Sequence, residues 1–483
     1  MTSISAPRFT DGWNEAYTAP SRPRPLYGPL LRALEGVDMA SLKSRVGERM
    51  EAAGATFSTE PLAVCPVPRL IENSEWSVLS ATLAQRVRAL SAFVTDAYGR
   101  RAIVAAGIVP AGVIDDAEGY EPELRGRWPH GPAPLGVVGF DLVRDRDGEL
   151  RTLEDNTRTP SGFAYAVAVR DAVTATLDAL APLLGVTTAA PIPIEPATVA
   201  ALRATFCGAA AAIGRGAAAD ASAGPNVVVL TSGPGSSAFF EHATAARWLA
   251  APLVTLEQLQ RRGDELWLRA GEAGPACRVD AVYRRTDTDR LRDERGALTA
   301  VAELMLVPWL AGRLAVVNGF GTGVADDKLV HAYIEEMIRF YLCEEPLMRS
   351  VRTIDLHDPV ALEQVLSDLR GHVVKPRHGH GGRGVVVCAH ATARDVRRVE
   401  AALRRPGAGT EYVAQRTVAL SLHPTVVGGR LVERHIDLRP FAFATCDGVT
   451  VIPGGLTRVA WDPGALVVNS SQNGGAKDTW VLP

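Results

Sequence analysis

Three side chains with oxygen donors lie on one predicted β-hairpin. Asp141 belongs to the apolar run VVGFDLVR, and Glu154 and Asn156 belong to the run that follows an Asp-Arg-Asp-Gly turn. Glu154 and Asn156 are two positions apart and share a strand face, and pairing of the two strands brings Asp141 beside them. Two carboxylates and an amide oxygen are ligands that Mg²⁺ prefers when phosphates also bind it. The hairpin therefore predicts a magnesium site, and a solvated acidic hairpin is the alternative.

A glycine-rich loop farther along the chain is the second candidate site. Four glycines lie in this loop between two apolar strands, and a lysine lies at the end of the first strand: Gly379, Gly381, Gly382, Gly384 and Lys375. Glycine lets backbone N–H groups approach phosphate oxygens closely, and a lysine adds a positive charge. The pattern indicates a phosphate-binding loop, with a flexible hairpin turn as the alternative.

Several kinds of element must position these two sites. Helical periodicity dominates residues 25–110, and the strand NVVVLTSGP, the helical segment after it and the short strand APLV predict a βαβ unit of a parallel sheet. Helices and antiparallel strands are predicted towards the C-terminus. We therefore predict an α/β and α+β protein with four parts: 1–130 (mainly helical), 131–190 (metal-binding hairpin), 196–320 (Rossmann-like βαβ domain) and 321–483 (lysines and glycine loop).

Composition excludes several classes of protein. The 483 residues are 47% hydrophobic and 22% charged, which is ordinary for a globular protein, and no apolar run is long enough to span a membrane. The N-terminus lacks the pattern of a secretory signal, so we expect a cytoplasmic protein. Six scattered cysteines without a C-x-x-C pair argue against disulfides and zinc. A net charge of -3 argues against nucleic acid as a partner, and a homo-oligomer is compatible with the sequence.

The two candidate sites together resemble those of ATP-grasp enzymes such as D-alanine–D-alanine ligase. Asp141, Glu154 thirteen positions later and Asn156, followed by a proline–glycine loop, resemble that family's metal-binding hairpin. Lys328 in the segment ADDK and Lys375 in the segment VVKP resemble its two ATP-phosphate lysines. The order is inverted, because the metal ligands precede both lysines here.

That inversion is similar to the circularly permuted ATP-grasp family, which is distantly similar to the amide-forming glutathionylspermidine synthetases. Further segments resemble the same family in the same order: PRLIENSEW, QRVRAL, DNTRTPSG, VYRRTD, GGLTRVA and SSQNGGAKDTWVLP. The resemblance covers nearly the whole chain and implies a circularly permuted ATP-grasp fold with a Rossmann-like domain.

The resemblance also implies how ATP is bound. Lys328 and Lys375 would contact the α- and β-phosphates, and the glycine loop would close over the γ-phosphate and exclude water. The hinge that hydrogen-bonds adenine would lie at the start of a later strand, at Glu411, Tyr412 and Val413. Two Mg²⁺ ions, or Mn²⁺ in their place, would be held by the hairpin ligands and bridge the phosphates.

Other residues would contact the acid substrate. Arg458 and Arg439 could bind the transferring phosphoryl group or the tetrahedral oxyanion, with structural salt bridges as the alternative. Arg158, Ser161 and Gly162 lie where ATP-grasp ligases meet the acyl substrate, and Lys477 in the segment GGAKD is a further phosphate or carboxylate contact.

Three functions are compatible with these residues. The first is a carboxylate–amine ligase that forms an amide or peptide bond between small-molecule or peptide substrates through an acyl phosphate and releases ADP and phosphate. The second is a small-molecule kinase, and the third is a nucleotide-binding protein without turnover. The complete set of metal ligands and lysines disfavours the third, because binding alone does not need that set.

Overall fold

One long helix dominates the N-terminal region, as the periodicity predicts. The computed structural model describes residues 12–58, 60–179, 190–215, 224–271, 274–286, 290–379, 382–464 and 474–483. The elements of this region are β1 (Tyr17–Ala19), β2 (Arg22–Pro23), α1 (Gly28–Ala33), α2 (Met39–Ala52), β3 (Thr56–Phe57), β4 (Glu60–Pro61), β5 (Val64–Glu72), α3 (Asn73–Tyr98), α4 (Ala102–Ala105) and α5 (Ala111–Asp115). On α3, Leu83, Leu90 and Phe93 are fully buried, which confirms the predicted amphipathic helix.

The predicted hairpin and the predicted parallel unit follow. Their elements are β6 (Val137–Arg144), β7 (Leu150–Asn156), α6 (Phe163–Asp178), α7 (Glu195–Ala212), β8 (Val227–Thr231), α8 (Phe239–Leu249), β9 (Leu253–Val254), β10 (Leu259–Arg262), β11 (Glu265–Leu268), β12 (Cys277–Val279), β13 (Ala281–Arg285), α9 (Ala300–Leu310) and β14 (Ala315–Val317). Strands β14, β13, β8 and β9 form a parallel sheet in that order, and α8 connects β8 to β9. The Rossmann-like βαβ unit is therefore confirmed.

The C-terminal part contains a small sheet and four long or medium strands. Its elements are α10 (Ile334–Met337), β15 (Thr353–Asp355), α11 (Pro359–Ser367), β16 (His372–Pro376), β17 (Val386–Val387), α12 (Ala393–Leu403), α13 (Ala408–Glu411), β18 (Tyr412–Arg416), β19 (Leu422–Val427), β20 (Arg430–Ala444), β21 (Val449–Ala460) and β22 (Gly474–Leu482). The small antiparallel sheet has the order β15-β18-β16-β17, and α11 and α12 pack on it through Val365, Val399 and Leu403. The glycine loop connects β16 to β17, as predicted.

A seven-stranded sheet joins both ends of the chain to the hairpin. Its order is β5-β22-β21-β20-β6-β7, and β19 pairs with the first half of β20. Gly148 has a φ of +85° in the turn between β6 and β7, where the predicted Asp-Gly turn needs it. In this hairpin Asp141 lies opposite Glu154 and Gly139 lies opposite Asn156, and the register shifts after Asp141. The bulge places the three predicted ligands on neighbouring positions of one sheet.

A buried ion pair attaches α3 to this sheet. Arg86 donates from Nε and Nη2 to the two carboxylate oxygens of Asp155, at 3.0 and 2.6 Å, and His331 Nδ1 lies 3.1 Å from the same carboxylate. The side chains of Arg86 and Asp155 are 1% and 4% exposed. Because Asp155 lies between Glu154 and Asn156 and points to the opposite face, the pair fixes the strand that carries both predicted ligands.

A second buried polar cluster lies where β5 and β22 run side by side. Lys477 is fully buried, and its ammonium donates to Cys65 Sγ at 2.8 Å, to the carbonyl of Val67 at 3.1 Å and to the carbonyl of Pro424 at 3.0 Å. Glu433 pairs with Pro424 across β19 and β20. Burial raises the pKa of Glu433 to about 7, although the Lys477 ammonium acts in the opposite direction.

Among the described residues, no helix has the length and apolar character that crossing a bilayer requires.

Replacement of Arg86 by Met is expected to destabilise the protein strongly, because Asp155 would keep a buried charge without its partner. We expect a loss of about 3 to 5 kcal/mol in the free energy of unfolding, measured by chemical denaturation. Arg88→Met on the same helix is the matched control, because the Arg88–Glu344 pair is 47% and 39% exposed. The control should lose less than about 1 kcal/mol, and equal losses in the two variants would contradict the assignment.

Glu433 is expected to make stability fall as the pH rises. Its folded-state pKa of about 7 lies above the ordinary value of 4.5, so the folded state binds this proton more tightly than the unfolded chain does. Stability is therefore lost between about pH 5 and pH 8, by up to about 3 kcal/mol. In denaturation curves recorded across that range, Glu433→Gln should lack this pH-dependent loss of unfolding free energy. Parallel pH profiles for the variant and the wild type would show that the carboxyl does not titrate as described.

Candidate active site

One large cleft lies between the hairpin, the small sheet and the edge of the parallel sheet. It has a volume of about 1210 Å³. Its lining includes most of the residues that the sequence singled out: Asp141, Glu154, Asn156, Arg158, Ser161, Lys328, Lys375, Gly379, Gly382, Arg439 and Arg458. These residues come from segments far apart in the chain, and the fold brings them to one cavity.

A network of two carboxylates and two guanidinium groups forms the floor of the cleft. Arg439 donates from Nε and Nη2 to Asp141, at 2.7 and 2.9 Å, and Arg458 lies 2.9 Å from the same carboxylate. Arg458 also donates to Asp437, which is 1% exposed. Burial alone would raise the pKa of Asp141, but the two guanidinium groups outweigh burial and hold this pKa well below its usual range. Asp141 is therefore ionised.

The hairpin residues fit a divalent cation that also binds phosphate. Asp141 accepts three hydrogen bonds through about four lone pairs, which leaves one lone pair on Oδ1. The side chain of Glu154 is 32% exposed to the cleft. Nδ2 of Asn156 is buried without a partner, and no hydrogen bond to its Oδ1 is found within the described ranges. The described residues contain no cluster of three or more His, Cys, Asp or Glu side chains that could hold a metal ion. Phosphate and water oxygens would therefore complete the coordination of a cation at the hairpin.

Lys328 connects the hairpin to the glycine loop. Its ammonium donates to the carbonyl of Gly379 at 2.7 Å and lies 3.9 Å from Oε1 of Glu154. Lys375 is 8% exposed, and its ammonium makes no hydrogen bond in the described part of the chain. Burial and the charge of Lys328 lower the pKa of Lys375, whereas the carboxylates of Glu154 and Asp141 raise it. The carboxylate of Glu154 therefore lies near both ammonium groups.

Two adjacent aspartates hold Lys328 in place. Asp326 accepts hydrogen bonds from the backbone of Thr157 at 2.5 Å and from Nε of Arg158 at 2.9 Å. Asp327 accepts from Nε of Arg377 at 2.9 and 3.0 Å, and Arg377 reaches the carbonyl of Val113 at 2.7 Å. The supporting roles of Asp326 and Arg377 were not predicted from the sequence, although the run Asp-Asp-Lys is visible there.

The loop after the hairpin is held by a second buried pair. Arg285 donates to the carbonyl of Pro160 at 2.7 Å and to the hydroxyl of Ser161. Glu241 accepts from the backbone N–H of Gly162 at 2.8 Å and lies 3.4 Å from Arg285. Ser161 therefore lines the cleft, whereas Gly162 supports it through its backbone. Arg285 is the second arginine of the segment VYRRTD and was not assigned a role from the sequence.

Two predicted groups of site residues lie elsewhere. Tyr412 and Val413 pair with Pro376 and Lys375 inside the small sheet, and Glu411 forms an exposed ion pair with Arg405. None of these three residues lines the cleft, and the lining of this strand begins at Gln415. The predicted adenine contacts therefore lie outside the lining of the cleft.

Lys477, the predicted phosphate or carboxylate contact, also lies outside the lining of the cleft. Its ammonium is enclosed by Cys65 and two carbonyls of neighbouring strands, so it cannot reach a substrate in the cleft. Gly381 lies outside the described residues, whereas Gly384 has a φ of +74° in the loop between β16 and β17.

Comparisons with known proteins identify the family of this chain. The family described as circularly permuted ATP-grasp type 2 matches residues 68–460. A protein of Frankia alni, provisionally named glutamate–cysteine ligase 2-3, is 40% identical over 97% of this chain and 54% of its own. An uncharacterized protein of Synechocystis is 36% identical over 97% of both chains. The chain spans about half the length of the Frankia alni relative and of a similar Frankia casuarinae protein.

A solved structure shows the same fold at low identity. The glutathione synthetase-like effector of Globodera pallida superposes with a TM-score of 0.59 and 12% identity, covering 92% of this chain and 98% of that chain. The family match extends over most of the chain and includes both the hairpin and the glycine loop. The chain belongs to the circularly permuted ATP-grasp type 2 family.

Proposed function

We propose that this chain is an ATP-dependent ligase that joins a carboxylate to an amine through an acyl phosphate. The observation that supports this most directly is the position of Lys328, between Glu154 of the hairpin and Gly379 of the glycine loop. An ammonium between carboxylates and a glycine-rich loop suits the phosphates of ATP, because it balances their charge beside the predicted metal ligands.

The small sheet would hold the base of ATP. Apolar side chains from this sheet and its neighbours line one end of the cleft: Leu153, Val373, Val385, Val387, Val418 and Leu420. Val373 and Lys375 are two positions apart on β16 and share a face, so an adenine on Val373 would extend its phosphates towards Lys375. The adenine would therefore lie between Gln415 to Leu420 and β17, rather than at Glu411 to Val413.

The floor of the cleft would be the place of phosphoryl transfer. Asp141, Glu154 and Asn156 would hold Mg²⁺, which supplies charge neutralisation for the phosphates when bound. Arg439 is 19% exposed and faces the cleft, whereas Arg458 is 5% exposed and pairs with both aspartates. Arg439 would bind the transferring phosphoryl group or the oxyanion, and Arg458 would fix the ionised Asp141 beside it.

The loop from Pro160 to Gly162 would receive the acid substrate. The aliphatic part of Arg439 lies beside Gly162: a Cβ added at Gly162 would be 3.6 Å from Cδ of Arg439. A carboxylate beside Ser161 would therefore be close to the phosphoryl-transfer site. Attack of the acyl phosphate by a neutral amine would form the amide and release phosphate, and this step needs only modest help from a base.

The substrates are small-molecule or peptide acids and amines. The name of the Frankia alni relative points to glutamate and cysteine, but that name describes a protein about twice as long as the matched region. We therefore propose amino acids or short peptides as the first acids and amines to screen.

Removal of the Glu154 carboxylate is expected to abolish turnover without unfolding the protein. Glu154→Ala should reduce Mg-ATP-dependent ADP release at least 100-fold in a coupled assay with a pool of amino acids and hydroxylamine. The bound Mg²⁺ would lose a protein ligand and would no longer be held where it neutralises the phosphates. Glu149→Ala is the matched control, because Glu149 is exposed on the same hairpin and lies outside the cleft.

The same assay separates the alternatives. Hydroxylamine should trap the acyl phosphate as a hydroxamate in the wild-type reaction and in Glu149→Ala. A stable phosphorylated product without hydroxamate would show that the chain is a kinase and not a ligase. Thermal stabilisation by Mg-ATP with no ADP release under any condition would indicate a nucleotide-binding protein without turnover.

A further inference from the structure

The apolar end of the cleft contains a polar side chain with one unsatisfied atom. Gln415 lies on β18, is 3% exposed and belongs to the lining of the cleft. Its Oε1 is buried and has no hydrogen-bond partner in the described part of the chain. Buried polar atoms are paired in the great majority of cases, so a free acceptor in the wall of a cleft indicates a ligand with a donor group.

The orientation of this amide is fixed by its neighbours. Nε2 of Gln415 donates to the carbonyl of Leu153 at 3.2 Å and to the hydroxyl of Thr353 at 2.8 Å. This hydroxyl donates its own hydrogen to the carbonyl of Val351 at 3.2 Å, so it can only accept from Gln415. Exchange of the amide oxygen and nitrogen would therefore bring the oxygen against two acceptors. The unsatisfied atom is the oxygen, and it can only accept.

Gln415 lies beside the proposed position of the base. In the small sheet, β18 lies between β15 and β16, and Gln415 is directly opposite Thr353 on one side and Val373 on the other. Opposite residues of antiparallel strands share a sheet face, so a ring that packs on Val373 lies next to the amide. The amide nitrogen is bonded on the side of β15, which leaves the side of β16 for a ligand.

A second unsatisfied polar atom lies two positions farther along the chain. The hydroxyl of Thr417 is buried without a hydrogen-bond partner among the described residues, and Thr417 also lines the cleft. The other side chains at this end of the cleft are mainly apolar. A largely apolar pocket with a few polar atoms is typical of a site for a flat, partly polar ring.

The two common purine bases differ in the group that such a site would contact. Adenine carries an exocyclic amino group that donates, whereas guanine carries at the same position a carbonyl oxygen that only accepts. Oε1 of Gln415 would bond the amino group and repel the carbonyl oxygen. The hydroxyl of Thr417 can donate or accept and therefore fits either base. The choice between the bases would depend on Gln415.

We propose that Gln415 selects adenine over guanine by accepting a hydrogen bond from the exocyclic amino group of the base. This inference rests on the proposed ATP-dependent function and adds the residue that determines which nucleotide is bound. Because Nε2 of the same amide bonds the carbonyl of Leu153, Gln415 would also link the base to the strand that carries Glu154.

Binding of matched nucleotides tests this residue without turnover. ADP, GDP and purine riboside diphosphate, which lacks the amino group, are compared by calorimetry in the presence of Mg²⁺. ADP should bind about 100-fold more tightly than GDP, because guanine would leave two buried acceptors facing each other. It should bind about tenfold more tightly than purine riboside diphosphate, because one hydrogen bond is lost.

Two substitutions of Gln415 separate its oxygen from its volume. Gln415→Met keeps the length of the side chain without the amide. It should lower the ratio for purine riboside diphosphate to about one and the ratio for GDP about tenfold. Gln415→Glu keeps an acceptor oxygen and should recover part of both ratios. The control is Gln364→Met, because Gln364 is exposed on α11 and lies outside the cleft, and it should leave both ratios unchanged.

The comparison in the wild type is decisive even if a variant does not fold. Equal binding of ADP and purine riboside diphosphate by the wild type, or unchanged ratios in folded Gln415→Met, would overturn the role of Gln415. Absence of ADP release with every acid and amine, while the preference for ADP persists in binding, would instead contradict the ligase function.

Discussion

The contact of one ammonium group with two distant segments is the constraint on which the candidate site depends. Lys328 lies between the carboxylate of Glu154 and the carbonyl of Gly379. Of the two aspartates before it, Asp326 binds Arg158 just after the hairpin, and Asp327 binds Arg377. If these segments moved apart, Lys328 would lose its contacts to both of them, and the cleft would widen between the hairpin and the glycine loop. The seven-stranded sheet and the small sheet both serve to keep this distance short.

Buried ion pairs position most of the residues that face the cleft. Asp141 is held by two arginines, Asp155 by Arg86, and the loop at Ser161 by Arg285 and Glu241. Such pairs contribute little net stability, because desolvation offsets much of the attraction, but loss of one partner is costly. We interpret them as devices that fix orientation.

The sequence predicted the parts of the site that depend on local spacing. The bulge that brings Asp141 opposite Glu154 was not predicted, but strand alternation places Glu154 and Asn156 on one face, and the glycine loop with Lys375 follows from a strand–loop–strand pattern. These features need no knowledge of distant segments, which explains why the structure reproduces them.

Other parts could not be predicted, because they depend on contacts between distant segments. Asp437 pairs with Arg458 across two strands, and Arg377 reaches Asp327 and a carbonyl of the N-terminal region. Lys477 resembles a phosphate contact because glycines precede it, yet its strand neighbours enclose it completely. The predicted adenine contacts Glu411 to Val413 precede the part of their strand that lines the cleft, because strand positions cannot be read from the sequence to within a few residues. The domain boundaries remain predictions.

Hydrogen exchange with and without Mg²⁺ and a non-hydrolysable ATP analogue tests most directly whether the two distant segments form one nucleotide site. Amide exchange would be followed by mass spectrometry across residues 137–156 of the hairpin and residues 372–387 of the glycine-loop strands. One nucleotide site predicts slower exchange in both segments at the same nucleotide concentration. Protection of only one segment, or protection of the two at different nucleotide concentrations, would contradict a shared site.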